Sequence, residues 1–112
     1  MKRTDATLRS QRVRERAYKI RSQYIAERGG VCELCETPYP PECFDFHHPD
    51  PSKKETDLRV DAWRSVKGQD KARAEADTCH LLCSNCHRME HLSLKQGRSL
   101  LEIKRHNDES NH

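Results

Sequence analysis

The chain is short of the residues that build a core. Only 33% of its 112 residues are hydrophobic, whereas 35% are charged. A domain of this size and composition buries too little apolar surface to stabilise itself, so a staple is expected, either disulfides or a metal. No run approaches the roughly 18 apolar residues of a membrane span. The opening residues Met1-Lys2-Arg3-Thr4-Asp5 lead into further charge, without the apolar segment of a secretory leader. The expectation is a cytoplasmic protein of one domain whose thiols stay reduced. No internal repeat is visible beyond two cysteine pairs.

Those pairs are the strongest positive signal. Cys32 and Cys35 form one Cys-x-x-Cys, and Cys83 and Cys86 form another, with 47 residues between them. A Cys-x-x-Cys turn offers two sulfurs to one edge of a tetrahedron, and a second turn offers the opposite edge, which is how structural zinc is commonly held. A disulfide pairing conflicts with the reducing context, and no βαβ pattern supports a redox motif. The long insert requires a whole substructure between the two knuckles. Cys43 and Cys79 are left over and read as buried structural thiols.

Histidines cluster around the same segments. His47 and His48 are adjacent in an extended stretch, so their rings point to opposite sides. His87 and His91 are four apart on an expected helix, so they share a face. Three imidazoles, His47, His87 and His91, would leave coordination positions open, as a hydrolytic metal site requires. His48 would then be free to act as a general base. The alternatives are surface histidines or a second structural zinc site.

The remaining pattern places these groups on a small α+β domain. Residues from about Ala6 to Glu27 lack Gly and Pro and read as a helix with an apolar stripe of Leu8, Val13, Ala17, Ile20, Tyr24 and Ile25. Gly29-Gly30 ends it. Cys43 to His48 and Cys79 to Cys83 read as short strands. Glu55 to Ala76 reads as helical in one or two pieces, with Leu58, Ala62, Trp63 and Val66 on its apolar face and Gly68 as the break. Ser84 is the expected N-cap of the helix bearing His87 and His91, and Ser99 with Glu102 suggests a capping box before a short last helix. The tail after Asn107 is expected to be disordered.

Net charge is only +3, but residues 1–31 carry +6 and the rest −3. A basic arm on a nearly neutral body suits a polyanion such as nucleic acid; the alternative is a solvated helix face. Arg12 and Arg16, off the apolar stripe, are the expected DNA contacts of the arm.

Taken together, the chain resembles the HNH endonucleases. The resemblance runs from about Gly29 to His91. It rests on Gly-Gly-Val-Cys-Glu-Leu-Cys at 29–35, Asp-Phe-His-His-Pro-Asp-Pro at 45–51, and Leu-Leu-Cys-Ser-Asn-Cys-His-Arg-Met-Glu-His at 81–91. It implies a ββα-metal motif, a two-stranded hairpin followed by a helix, braced by a four-cysteine zinc site. It implies that His48 activates water, and that His47, His87 and His91 hold a catalytic Mg²⁺, Mn²⁺, Ni²⁺ or Zn²⁺ that stabilises the leaving 3′ oxygen. Catalysis would rest on His48, His47 and His87. DNA would be the substrate, with Arg88 either a phosphate contact or a surface residue. One departure stands out. The family usually has Asn five residues before the second Cys pair, where it constrains the loop carrying the base; this chain has Thr78. The implied layout is a basic helical arm at 1–28, the nuclease domain at 29–95, and a C-terminal segment at 96–112. Its small size resembles phage-encoded members. A non-catalytic zinc module that binds nucleic acid, or one that scaffolds a protein partner, is the alternative.

Overall fold

The computed structural model describes residues 5–110. Lys2 and Arg3 of the basic arm lie outside them. The first helix, α1, spans Asp5–Glu27. It ends in a Schellman turn: the Gly30 N–H donates to the Ile25 carbonyl and the Gly29 N–H to the Ala26 carbonyl, both at 3.0 Å. The turn needs backbone that only glycine adopts easily, and Gly29 sits at φ 107°. Only the second half of α1 enters the core, through Ala17, Tyr24 and Ile25. Leu8, on the expected stripe, is exposed, and the first half carries Arg9, Arg12, Arg14 and Arg16 into solvent.

Strands β1 (Phe44–His47) and β2 (His80–Cys83) form one antiparallel pair, with Phe44 opposite Cys83 and His47 opposite His80. The insert between them folds back over one side. It contributes 3-10 turns at Pro51–Lys53 and Val60–Trp63 and then helix α2, Val66–Ala76. Tyr24, Phe46 and Trp63 form an aromatic cluster with ring centroids 5.4–6.3 Å apart, which contributes packing beyond simple burial. Leu58, Leu81 and Leu82 complete the core.

The insert departs from the expected helix over 55–76. Residues 54–59 are irregular, and Leu58 lies at φ 58°, which helical backbone excludes. Its carbonyl is held from two directions, by Arg21 Nε at 3.0 Å and Trp63 Nε1 at 3.2 Å. Gly68 is no breaker: it lies in the first turn of α2, and its N–H donates to the Ser65 hydroxyl at 2.8 Å, making Ser65 the N-cap. Val66, expected on the apolar face, is exposed.

Two arginines counted with the arm belong to the body. Arg21 also reaches the Phe44 carbonyl at 2.9 Å and stacks over the Phe46 ring. Arg28 donates to the carbonyls of Ala76 and Cys79 at 2.7 and 2.8 Å, and to Glu33 at 2.9 Å. These charge-assisted bonds fasten α1 to β1, to the end of α2 and to the residue before β2.

Helix α3 spans Ser84–Lys95 and follows β2 directly, giving the order β1–β2–α3. Its N-cap is Cys83, whose sulfur accepts from the Cys86 N–H, so Ser84 is the first helical residue rather than the cap. Helix α4 spans Leu100–Ser110, so residues 108–110 are helical against the expectation of disorder after Asn107; Asn111 and His112 lie outside the described residues. Ser99 caps it by accepting from the Glu102 N–H at 3.2 Å. The carboxylate of Glu90, fully buried, accepts from the N–H groups of Leu100 and Leu101 at 3.2 and 2.9 Å. A buried carboxylate at a helix N-terminus is stabilised by those donors and by the helix dipole, so Glu90 locks α4 onto α3. Among the described residues no helix is long and apolar enough to cross a membrane.

Candidate metal centres

Cys32, Cys35, Cys83 and Cys86 come together, with all four sulfurs within 4.8 Å of one another. Cys35 and Cys83 sulfurs lie 4.0 Å apart, far beyond a disulfide and close to the ~3.8 Å edge of a tetrahedron with ~2.3 Å zinc–sulfur bonds. The Leu34 and Cys35 N–H groups point at Cys32 Sγ at 3.4 and 3.5 Å, and the Cys86 N–H at Cys83 Sγ at 3.4 Å. Such bonds favour thiolates. Burial pushes the Cys83 and Cys86 thiols up, whereas Thr37 holds exposed Cys35 down to about 6. Buried sulfurs that resist ionisation on their own need a cation as counter-charge, and this cluster can hold zinc.

Glu33, between the two ligands of the first knuckle, ties it to β2. Its Oε2 accepts from the Leu81 N–H at 2.5 Å and its Oε1 meets His80 Nδ1 at 3.2 Å. Burial alone would raise the carboxyl, but the bonds from His80 and Leu81, with the Arg28 charge, hold it below its usual range.

The second centre lies between β1 and α3. His47 projects from the strand, and His87 and His91 from consecutive turns of α3, with ring centroids 4.5–5.4 Å apart. Their ligand nitrogens lie within 4.8 Å of one another. They can converge on one ion at the roughly 2.0–2.1 Å of an imidazole–metal bond. Burial, followed by the charges of His87 and His91, lowers His47 to about 4, and burial lowers His91 as well. Neutral imidazole is the ligand form. His87 Nδ1 lies 3.1 Å from Asp45 Oδ2, a contact that fixes the ring and leaves Nε2 for a metal. Asp45 is two residues before His47 and so on the same strand face. Sequence reasoning missed it, although that spacing was the available signal.

A cleft of about 430 Å³ opens over the three histidines, with Arg21, Lys54, Arg59 and Lys95 among its walls beside Asp45 and Asp57. His48 borders the same cleft, but its ring turns away from His47 into the insert. It is buried, with Nε2 3.5 Å from Glu75 Oε2 on α2. Thr78 does not reach the loop carrying His48: its hydroxyl donates to the Glu75 carbonyl at 2.7 Å, closing the end of α2.

The expected DNA contacts are scattered. Arg88 is exposed on α3 and lines a shallow depression with Asp45, His87 and His91. Arg12 and Arg16 are exposed on the projecting half of α1 and line neither cleft. Arg14 and Lys19 instead line a groove that shares Arg21, Asp45 and Arg59 with the histidine cleft.

These residues thus form two centres that each take one ligand from the strand pair, Cys83 for the closed sulfur cluster and His47 for the open imidazole cluster. No protein-family model matches the chain, and neither the curated proteins nor the solved structures hold a significant match to it.

Proposed function

We propose that the protein is a metal-dependent endonuclease of the HNH type that hydrolyses DNA phosphodiester bonds. The observation that carries the reading is the convergence of His47, His87 and His91, with His48 beside them, in a basic cleft on a β1–β2–α3 scaffold. Three neutral imidazoles with open positions suit a catalytic ion better than a structural one.

Bound there, a divalent ion supplies charge to stabilise the developing negative charge on the leaving 3′ oxygen. The chain's own residues supply the rest. His48 accepts the proton of the attacking water. Arg21 on α1, Lys54 in the irregular stretch of the insert and Lys95 on α3 neutralise and orient the phosphate. Asp45 keeps His87 in place as a ligand. Arg14 and Lys19 extend the basic track along α1 for the flanking backbone. The products are 5′-phosphate and 3′-hydroxyl ends.

The test is conversion of supercoiled plasmid in the presence of Mg²⁺, Mn²⁺, Ni²⁺ or Zn²⁺, with His48→Ala as control. A second reading is a non-catalytic zinc module that binds nucleic acid. It is favoured by the exposed basic half of α1, which needs no catalytic metal to bind phosphate. That reading predicts binding without cleavage under every metal.

A further inference from the structure

We infer that Glu75 is the positioning residue for the proposed base, His48, in the place where Thr78 fails to act. The inference rests on the nuclease reading above for its consequence, but its geometry is independent of it. Glu75 uses its two carboxylate oxygens on two targets. Oε1 accepts from the backbone N–H of Glu55 at 2.8 Å, which pins the loop that follows His48. Oε2 faces His48 Nε2 at 3.5 Å.

That second contact is longer than a formed N–H···O bond, which has its mode near 2.9 Å. Yet both atoms are buried and neither has a hydrogen-bond partner. Their side chains are only 8% and 12% exposed. Two complementary buried groups facing each other with no competing partner close into a hydrogen bond by a small ring movement, and catalytic contacts are commonly loose before substrate binds. A carboxylate can only accept, so the bond fixes the proton on Nε2 and leaves Nδ1 as the basic nitrogen. Glu75 is itself held. Thr78 donates its hydroxyl, and Cys79 its thiol, to the Glu75 carbonyl at 2.7 and 3.4 Å. The last turn of α2 therefore does two jobs, restraint of the loop and choice of the imidazole tautomer.

Glutamine and alanine separate those jobs. A glutamine side chain has one oxygen for two donors. With that oxygen kept on the Glu55 N–H, its amide N–H₂ faces His48 Nε2 and demands an acceptor there. Glu75→Gln should therefore keep the loop pinned and move the His48 proton to Nδ1. Glu75→Ala should release both. The experiment uses the zinc-loaded full chain, with three readouts for each variant. Long-range ¹H–¹⁵N correlation at one pH reads the His48 tautomer. Hydrogen exchange reads the Glu55 amide. Titration with Ni²⁺ reads the His47, His87 and His91 site.

The expected result is Nε2–H in wild type, Nδ1–H in Glu75→Gln, and faster Glu55 exchange in Glu75→Ala alone. Ni²⁺ affinity should stay within about twofold, while kcat for plasmid cleavage falls roughly 10–100-fold at unchanged KM in both variants. A His48 tautomer and kcat left at wild-type values in Glu75→Gln would overturn the inference. So would a parallel loss of Ni²⁺ affinity, which would make Glu75 a support of the fold. A wild-type chain that does not cleave overturns the nuclease reading alone, because tautomer and exchange still decide whether Glu75 holds His48.

Discussion

The cysteine and histidine clusters share one stretch of chain, residues 83–91, yet they are built oppositely. At the cysteine cluster three of four ligands are buried, and backbone N–H groups aim at the sulfurs. At the histidine cluster only His47 is buried, His87 is half-buried and His91 is exposed, under a cleft with basic walls. A closed shell of four charged ligands suits an ion that never exchanges its partners. An open shell of three neutral ligands suits one that must accept a phosphate oxygen. Placing both on one strand pair lets the first fix the geometry of the second.

Breaking the closed cluster should have the largest effect. Cys83→Ala removes a ligand and the N-cap of α3 at once. Zinc binding at such sites contributes on the order of 10 kcal/mol to folding, so the variant, like wild type treated with a chelator, should lose its cooperative thermal transition by circular dichroism. A variant that melts like wild type would mean that the sulfurs hold no structural ion.

The open cluster should tolerate change without unfolding. Asp45→Asn keeps the shape but weakens the restraint on His87. Affinity for Ni²⁺ by calorimetry should fall roughly 10–100-fold, with zinc content and melting temperature unchanged. Loss of zinc in the same variant would erase the distinction between the two centres.

The groove along α1 offers a milder test. Arg14→Ala with Lys19→Ala should reduce DNA affinity and lower the log–log salt slope by about 2, near 0.9 per phosphate contact. The pair Arg12→Ala and Arg16→Ala, outside that groove, should change the slope less. Equal effects would return the interface to the helix as a whole.

The smallest effect concerns pH. The fold lowers His47 from 6.5 to about 4, so the folded state favours the neutral ring. As pH falls from about 6.5 to about 4, the unfolded chain takes up a proton that the folded chain does not, and stability is lost through that window. Measured without added divalent metal beyond the structural zinc, His47→Ala should lose less stability over that range than wild type. Parallel curves would mean that His47 is freely solvated.

Much of this was legible in the chain and some was not, for a physical reason. The Cys-x-x-Cys spacing, the His-His doublet and the four-residue spacing of His87 and His91 are local patterns, and local geometry alone decides which side chains share a face and which point apart. The partners that orient them are not local. Glu75 lies on a helix whose inward face no periodicity reveals, and an acid near a helix end ordinarily reads as solvated surface. Arg21 and Arg28 were hidden inside a run of surface charge, although their guanidinium groups satisfy carbonyls at Leu58, Phe44, Ala76 and Cys79. Residues 54–59 have helix-compatible composition, but the Arg21 and Trp63 bonds to the Leu58 carbonyl favour a left-handed residue there instead.

The central claim is that the sulfur cluster carries the fold and the histidine cluster carries the chemistry. The most direct measurement is plasmid cleavage by zinc-loaded wild type and His48→Ala, matched for melting temperature and zinc content, with Mg²⁺, Mn²⁺, Ni²⁺ or added Zn²⁺. The account predicts loss of supercoiled DNA by wild type with at least one of these ions, and a rate roughly 10²–10⁴-fold lower for His48→Ala. Cleavage by His48→Ala at the wild-type rate, or no cleavage by wild type with any of the four, would contradict it.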